Sequence, residues 1–253
     1  LSVPACVTTG SKNLPTRMAN LYHLPRLPDP GETPLTGAVA HHLLRVLRLE
    51  QGDALVLSDG RGNSAQATVR AAGRRDIVVE VDAPVSHPRT APEIMLAFAC
   101  PRPARADWLI EHGTELGVAT FQPILTDRSK PGSPRTDRWQ KIACAAAGQC
   151  ARHHLPEIRE PLGLASLLRS PLPADRVLAD VGGDRIRRDC PKKPVVVLVG
   201  PEGGFTAAER SAAIESGFVA ATFGPHILRT ETAALVGAAV LAHAAVGAAR
   251  DEL

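Results

Sequence analysis

Apolar and polar positions divide this chain into two halves with different periods. Between residues 21 and 85 the apolar runs are short and broken by glycine turns. Residues 54–58 and 77–81 read as strands, and residues 64–70 alternate apolar and polar as a half-buried strand does. Turns at 59–62 and 73–76 separate them, a pattern that predicts a small β-barrel. Before these strands, residues 41–48 carry apolar side chains at helical spacing and end at Gly52-Asp53. Residues 85–92 are punctuated by Pro88 and Pro92 and read as a linker. From residue 94 onward strands and helices alternate. Strands are predicted at 94–99, 118–125, 176–180 and 195–199, with another beginning at Val219. A helix over 104–116 places Trp108, Leu109, His112 and Leu116 on one face and stops at Gly117. Another over 136–152 aligns Trp139, Ile142, Ala143, Ala146 and Cys150. The alternation predicts a mostly parallel sheet with helices on both faces.

Two stretches in that second half carry the chemistry. The aliphatic run Val195–Val199 is too short for a helix and rich in β-branching, so it reads as a buried strand. It breaks at Gly200-Pro-Glu-Gly-Gly204, and Thr206 with Glu209 three residues on has the spacing of a capping box. The second stretch ends a strand near Phe223, turns at Gly224-Pro225, and offers Thr230 as cap for an alanine-rich helix reaching about residue 249. Two glycine loops at the carboxyl ends of parallel strands are where open α/β sheets bind ligands. Neither loop is G-x-x-x-x-G-K-[ST], which argues against a P-loop NTPase. Neither is G-x-G-x-x-G, and both come late, which argues against a dinucleotide fold. The plain alternative is two tight turns closing a sheet.

Gly200-Pro-Glu-Gly-Gly-Phe-Thr206 followed by Phe223-Gly-Pro-His-Ile-Leu-Arg-Thr-Glu-Thr-Ala233 resembles the SPOUT methyltransferases, and more narrowly the RsmE family of 16S rRNA uracil-N3 methyltransferases. The resemblance runs from Leu21 to the end. Residues 40–49 with Gly52-Asp53, 105–117, 125–129 and Gln149-Cys-Ala-Arg152 match its segments, while Phe223 replaces a usual leucine and Gly148 and Cys150 depart from a usual Glu-Gln-Ser. It implies a PUA-like RNA-binding β-barrel over residues 18–86 and a SPOUT α/β domain with a trefoil knot over 87–253. Residues 1–17 are expected to be an extension or tag remnant, with Met18 as a natural start. The implied reaction is methylation of uracil N3 in 16S rRNA from S-adenosylmethionine, during ribosome biogenesis in the cytoplasm.

By that resemblance Thr126, Leu198, Gly200, Gly203, Gly204, Phe223, Gly224, Ile227, Leu228, Thr232 and Ala233 are the expected cofactor residues. Glycines would let backbone approach the adenosine edge, and Phe223, Ile227 and Leu228 would supply apolar walls. Removing the N3 proton leaves an anion, for which Arg229 is the expected cation. Glu202 or Glu231 is open as the proton acceptor, or as a partner of Arg229.

The net charge is only +3, yet of 29 basic residues 24 are Arg and 5 Lys. Arginine suits bidentate phosphate contacts; a GC-rich genome accounts for the bias equally well. Arg45, Arg48, Arg102, Arg105, Arg128 and Arg152 are the expected RNA contacts, along a basic segment that also holds Lys130, Arg135, Arg138 and Lys141. A solvated helix face is the plain alternative. Aromatic residues are 3% of the chain, too few for a broad base-stacking platform. Five scattered cysteines, with no zinc spacing, read as reduced thiols, and His41-His42 and His153-His154 as solvated or capping residues without a metal. No secretory or membrane-spanning stretch is visible. The apolar last helix, with Gly237 and Gly247 inside it, predicts a homodimer through the C-terminal domain. The rival readings are a SPOUT enzyme methylating tRNA ribose and an RNA-binding protein without catalysis.

Overall fold

The computed structural model describes residues 21–89, 91–129, 135–185 and 193–250, the last seven by backbone alone. The expected extension at 1–17, Met18 and Lys130 lie outside the described residues. The first sheet holds β1 (Leu21–His23), β2 (Gly31–Leu35), β3 (Ala54–Ser58), β4 (Asn63–Ala72), β5 (Ile77–Val81) and β6 (Val85–Ser86), in the order β1-β3-β4-β5-β2 with β6 on β4. Alternation sets its inside: Ile77, Val79 and Val81 are buried, while Val78 and Glu80 are not. Leu43, Leu55, Leu57 and Val69 complete that core. The β3–β4 turn uses Gly60 and Gly62 at φ of 68° and 103°, and Asp59 closes it by accepting from the backbone N–H groups of Arg61 and Asn63 at 2.8 and 3.0 Å.

The second sheet is parallel throughout. It contains β7 (Ile94–Ala99), β8 (Val118–Leu125), β9 (Glu157–Ile158), β10 (Leu162–Gly163), β11 (Asp175–Arg185), β12 (Val195–Val199) and β13 (Val219–Thr222). Their order is β10-β8-β7-β12-β11-β13, with β9 on β8. All five residues of β12 are buried, because both faces are covered. Ile94, Leu96, Phe98, Val195, Val197 and Val199 face a core shared with α2 (Pro103–Glu115), α3 (Thr136–Gln149) and α6 (Thr230–Arg250). The alternate residues Met95, Ala97, Val196 and Leu198 face the core under α4 (Leu164–Arg169) and α5 (Ala207–Glu215).

Three expectations need correction. The helix read at 41–48 begins earlier, as α1 (Gly37–His41), and continues as a π-helical stretch His42–Val46. The buried face of α2 is Ala106, Leu109, Ile110, Gly113 and Thr114. Trp108 points away, 44% exposed, with its ring edge-on to His112 at 4.7 Å between centroids. The small residue Gly113 decides this orientation, since a Cβ there would lie 2.8 Å from the Phe121 ring. Thr230 is the first residue of α6 and not its cap: its hydroxyl donates to the Gly200 carbonyl at 2.9 Å. The cap position falls on Arg229, whose carbonyl accepts from Ala233 N–H at 2.8 Å. The capping box of α5 forms as its spacing predicts, with Thr206 and Glu209 bonded reciprocally at 3.2 and 2.8 Å.

Candidate functional site

Three loops meet at the carboxyl ends of β8, β12 and β13, and cross-links among them fix the site. Arg128 donates to the Gly203 carbonyl at 2.8 Å, and Asp127 N–H to the Glu209 carboxylate at 2.8 Å, so the loop after β8 is fastened to the glycine loop after β12. The Thr230 hydroxyl joins the β12 loop to the start of α6. Between the β12 and β13 loops and the middle of β11, at Ala179, Asp180 and Val181, lies a cleft of about 400 Å³.

Gly200, Glu202, Gly203, Gly204, Phe223, Gly224, Ile227, Leu228 and Ala233, all expected from sequence, line this cleft. Gly204 sits at φ of 69°, where a side chain is strained, and a Cβ on Gly200 would meet the Phe205 ring at 2.9 Å. Ile227 is 84% exposed at the mouth. Arg229, between the cleft-lining Leu228 and Thr230, is not among the lining residues, and three expected cofactor residues also lie elsewhere. Leu198 is fully buried on the α5 side of β12. The Thr126 hydroxyl bonds Ser129 at 2.9 Å within its own turn. Thr232 is on α6, one residue before the cleft-lining Ala233, but is not among the lining residues.

Asp180 and Arg210 were not foreseen. Both line the cleft, and they form an ion pair. The hydrogen bond from Arg210 holds the Asp180 carboxyl below its ordinary value. The only sequence signal for Asp180 was its place at the end of a strand beside the two loops.

The charged groups pair differently from expectation. Glu231 pairs with Arg105 at 3.4 Å and not with Arg229, and Arg105 also donates to Glu202 at 3.1 Å. One arginine at the start of α2 thus holds a carboxylate from each loop region. Glu231 is 5% exposed, and its second oxygen has no partner among the described residues. Arg229 is exposed and forms no ion pair with a described residue.

The expected RNA contacts divide into spent and available groups. Arg105 and Arg128 are engaged within the site. Arg135 and Arg138 both pair with Asp107, which also accepts from the Trp139 indole at 3.2 Å, clamping α3 to α2. Arg48 and Arg102 are exposed. Arg45 lines a surface concavity of about 570 Å³ together with His41, Arg74 and Arg75, and no acidic residue lines it. Arg74 and Arg75, on the β4–β5 turn, were missed because two exposed arginines in a turn carry no periodic signal.

His153 and His154 are not solvated, as expected from sequence, but half-buried between the two sheets. Gly62 N–H donates to the His153 carbonyl at 3.1 Å and Leu155 N–H to the Gly60 carbonyl at 2.8 Å. The His153 ring stacks on His87 with centroids 3.6 Å apart. Cys100, Cys144 and Cys150 are free thiols, with burial pushing Cys100 up to about 11. Among the described residues, no helix is long and apolar enough to cross a membrane, and no group of three acidic, His or Cys side chains is placed to hold a metal.

A β-rich domain ahead of a parallel α/β domain, with its cleft at two glycine loops, is the arrangement that the resemblance to the SPOUT RNA methyltransferases implies, and the comparisons show that class. The RNA methyltransferase domain family matches residues 88–242, and the RNA methyltransferase PUA domain family matches 35–82. The chain belongs to the ribosomal RNA small subunit methyltransferase E family. It is 34% identical to that enzyme of Synechocystis, over 81% of this chain and 71% of the relative, and 29% identical to that of Bacillus subtilis, over 83% and 89%. The enzyme of this name from Neisseria gonorrhoeae, solved bound to S-adenosyl methionine, superposes with a TM-score of 0.81 at 28% identity, over 88% of this chain and 96% of that one. A methyltransferase from Legionella pneumophila with bound S-adenosylmethionine gives 0.81 at 29%, over 89% and 98%.

Proposed function

We propose that the chain transfers the methyl group of S-adenosylmethionine to N3 of uracil in 16S rRNA, at the family's uridine-1498. The observation that carries this reading is the cleft at the β12 and β13 loops. Its apolar walls, Phe205, Phe223, Ile227 and Leu228, suit an adenine ring, and its bare backbone at Gly200 and Gly204 suits the polar edge. The carboxylates of Asp180 and Glu202 at the cleft favour a sulfonium cation. The cofactor supplies an electrophilic methyl group when bound.

The remaining work falls to the chain. N3 becomes nucleophilic on losing its imide proton, so negative charge develops on the base. Arg229, exposed and next in sequence to the cleft-lining Leu228, would stabilise it. Of the two glutamates, Glu202 is the better-placed proton acceptor. Both pair with Arg105, but the side chain of Glu202 is 42% exposed and lines the cleft, whereas that of Glu231 is 7% exposed and does not line it. Glu231 then serves to anchor Arg105. RNA phosphates would engage the concavity of Arg45, Arg74 and Arg75.

Two measurements test this. Calorimetry should show S-adenosylmethionine binding that is lost on blocking the cleft. Mass spectrometry of small-subunit RNA treated with protein and cofactor should place the new methyl on N3 of one uridine; a methyl on a ribose would replace this reading with that of a 2′-O-methylating enzyme.

A further inference from the structure

Beside the junction of the two sheets lies a second cavity, of about 180 Å³, separate from the cleft. It is walled by His87, Pro88 and Arg89 of the linker, Glu93, Gly117 and Ala119, and the residues 151–154 that follow α3. Ala151 has φ of 55°, a left-handed conformation rare for a residue with a Cβ. This reversal turns Arg152 back toward the carboxyl end of α2, where its guanidinium donates to the Thr114 carbonyl at 2.9 Å. Only that one of its five N–H donors has a described acceptor. No described carboxylate pairs with it, and burial pulls it down to about 10. A second cation, Arg89, lines the same cavity, paired at 3.6 Å with Glu93 in a contact exposed to solvent. A half-buried guanidinium whose unspent donors open on a cavity, with a second and repelling cation on the same wall, makes that cavity a place where an anion is favoured.

We propose that this cavity binds a phosphate group, with Arg152 as its main donor and Arg89 as the second cation, and that the phosphate is one of the RNA backbone. The planar guanidinium presents a donor fork that matches phosphate oxygens. The cavity joins the linker to the catalytic sheet, so a backbone phosphate held there fixes RNA relative to both. The RNA assignment rests on the function proposed above; the phosphate site does not.

The test uses the full chain in two arms. Melting temperature is followed against inorganic phosphate, with sodium chloride at matched ionic strength as control, for wild type, Arg152→Gln and Arg89→Gln. Arg152→Gln removes the cation and leaves a neutral polar side chain. Phosphate should stabilise the wild type beyond chloride, and both variants should lose that increment. In the second arm, affinity for a small-subunit RNA fragment is measured against salt. Arg152→Gln should lower affinity about tenfold and reduce the slope of log K on log salt by about 0.7 to 0.9, the range for one phosphate contact in single-stranded and duplex nucleic acid. Stabilisation by phosphate no greater than by chloride overturns the site. Phosphate stabilisation with an unchanged RNA slope in Arg152→Gln overturns the RNA source and leaves a free-phosphate site. A wild type that shows phosphate stabilisation but no RNA affinity counts against the proposed function and not against the cavity.

Discussion

At the scale of single residues, Arg105 takes the carboxylate pairing that sequence offered to Arg229. The local word Leu228-Arg-Thr-Glu231 invites pairing within itself, yet Glu231 turns inward and meets Arg105, which is 126 positions away in the chain. Spacing along a sequence reports neighbours on one element, and it is silent about which residue of another helix arrives. What was legible was the residue types: two glutamates and an arginine at loop ends. The rearrangement sharpens the expectation for Arg229. With no carboxylate among the described residues paired to it, its charge would be available to a developing anion. Arg229→Ala should lower kcat about a hundredfold or more while leaving cofactor Kd and melting temperature near wild type, the signature of an interaction made in the transition state. Arg229→Lys should recover part of the loss. A near-normal kcat in Arg229→Ala would remove it from the mechanism.

At the scale of elements, the glycine loops were legible because each glycine answers a local need. Gly204 takes a positive φ, and Gly200 leaves room for Phe205. The capping box was legible because its two partners are three residues apart. Leu198 was misplaced for the opposite reason: in a strand covered on both faces, sequence cannot say which face a residue serves, and Leu198 faces α5. The short strands β9 and β10 carry two residues each and no readable period; pairing with β8 creates them. The loop itself gives the next prediction. Gly204→Val places a branched side chain at φ of 69° in the cleft wall, so it should weaken S-adenosylmethionine binding at least tenfold by calorimetry. Its melting temperature should fall by only a few degrees, because no heavy atom lies within 4 Å of the added Cβ. Normal cofactor affinity in this variant would reduce the loop to a turn.

At the scale of the whole molecule, the apolar character of α6 is largely explained within one chain. Ala234, Leu235, Ala238 and Leu241 are buried, and Ala234, Ala238 and Leu241 face the core that α6 shares with α2, α3 and the sheet. Among the described side chains, the large apolar one left exposed on α6 is Val240, with Trp108 on the adjacent α2. We propose that these residues pair two copies of the chain; light scattering at micromolar concentration should give the mass of a dimer, and Trp108→Glu that of a monomer. The junction between the two sheets makes a separate prediction. His23 of β1 is half-buried there, and burial followed by the nearby His153 lowers it to about 4, with the Arg152 backbone pulling the other way. His153 is itself lowered, by burial and then by the stacked His87. The carboxylate of Asp59 opposes the shift of His23 but does not cancel it. In the unfolded chain these rings titrate near 6.5, so between 6.5 and about 4 the unfolded state binds more protons than the folded one. The stability contributed by the neutral rings is therefore complete above pH 6.5 and is lost as pH falls through that window. The melting temperature should fall steadily from pH 6.5 to 4, and the fall should be shallower in His23→Gln, which keeps a polar group of similar size and does not titrate. An equal fall in both proteins would place the acid sensitivity in carboxylates elsewhere and leave the histidine junction without a role in it.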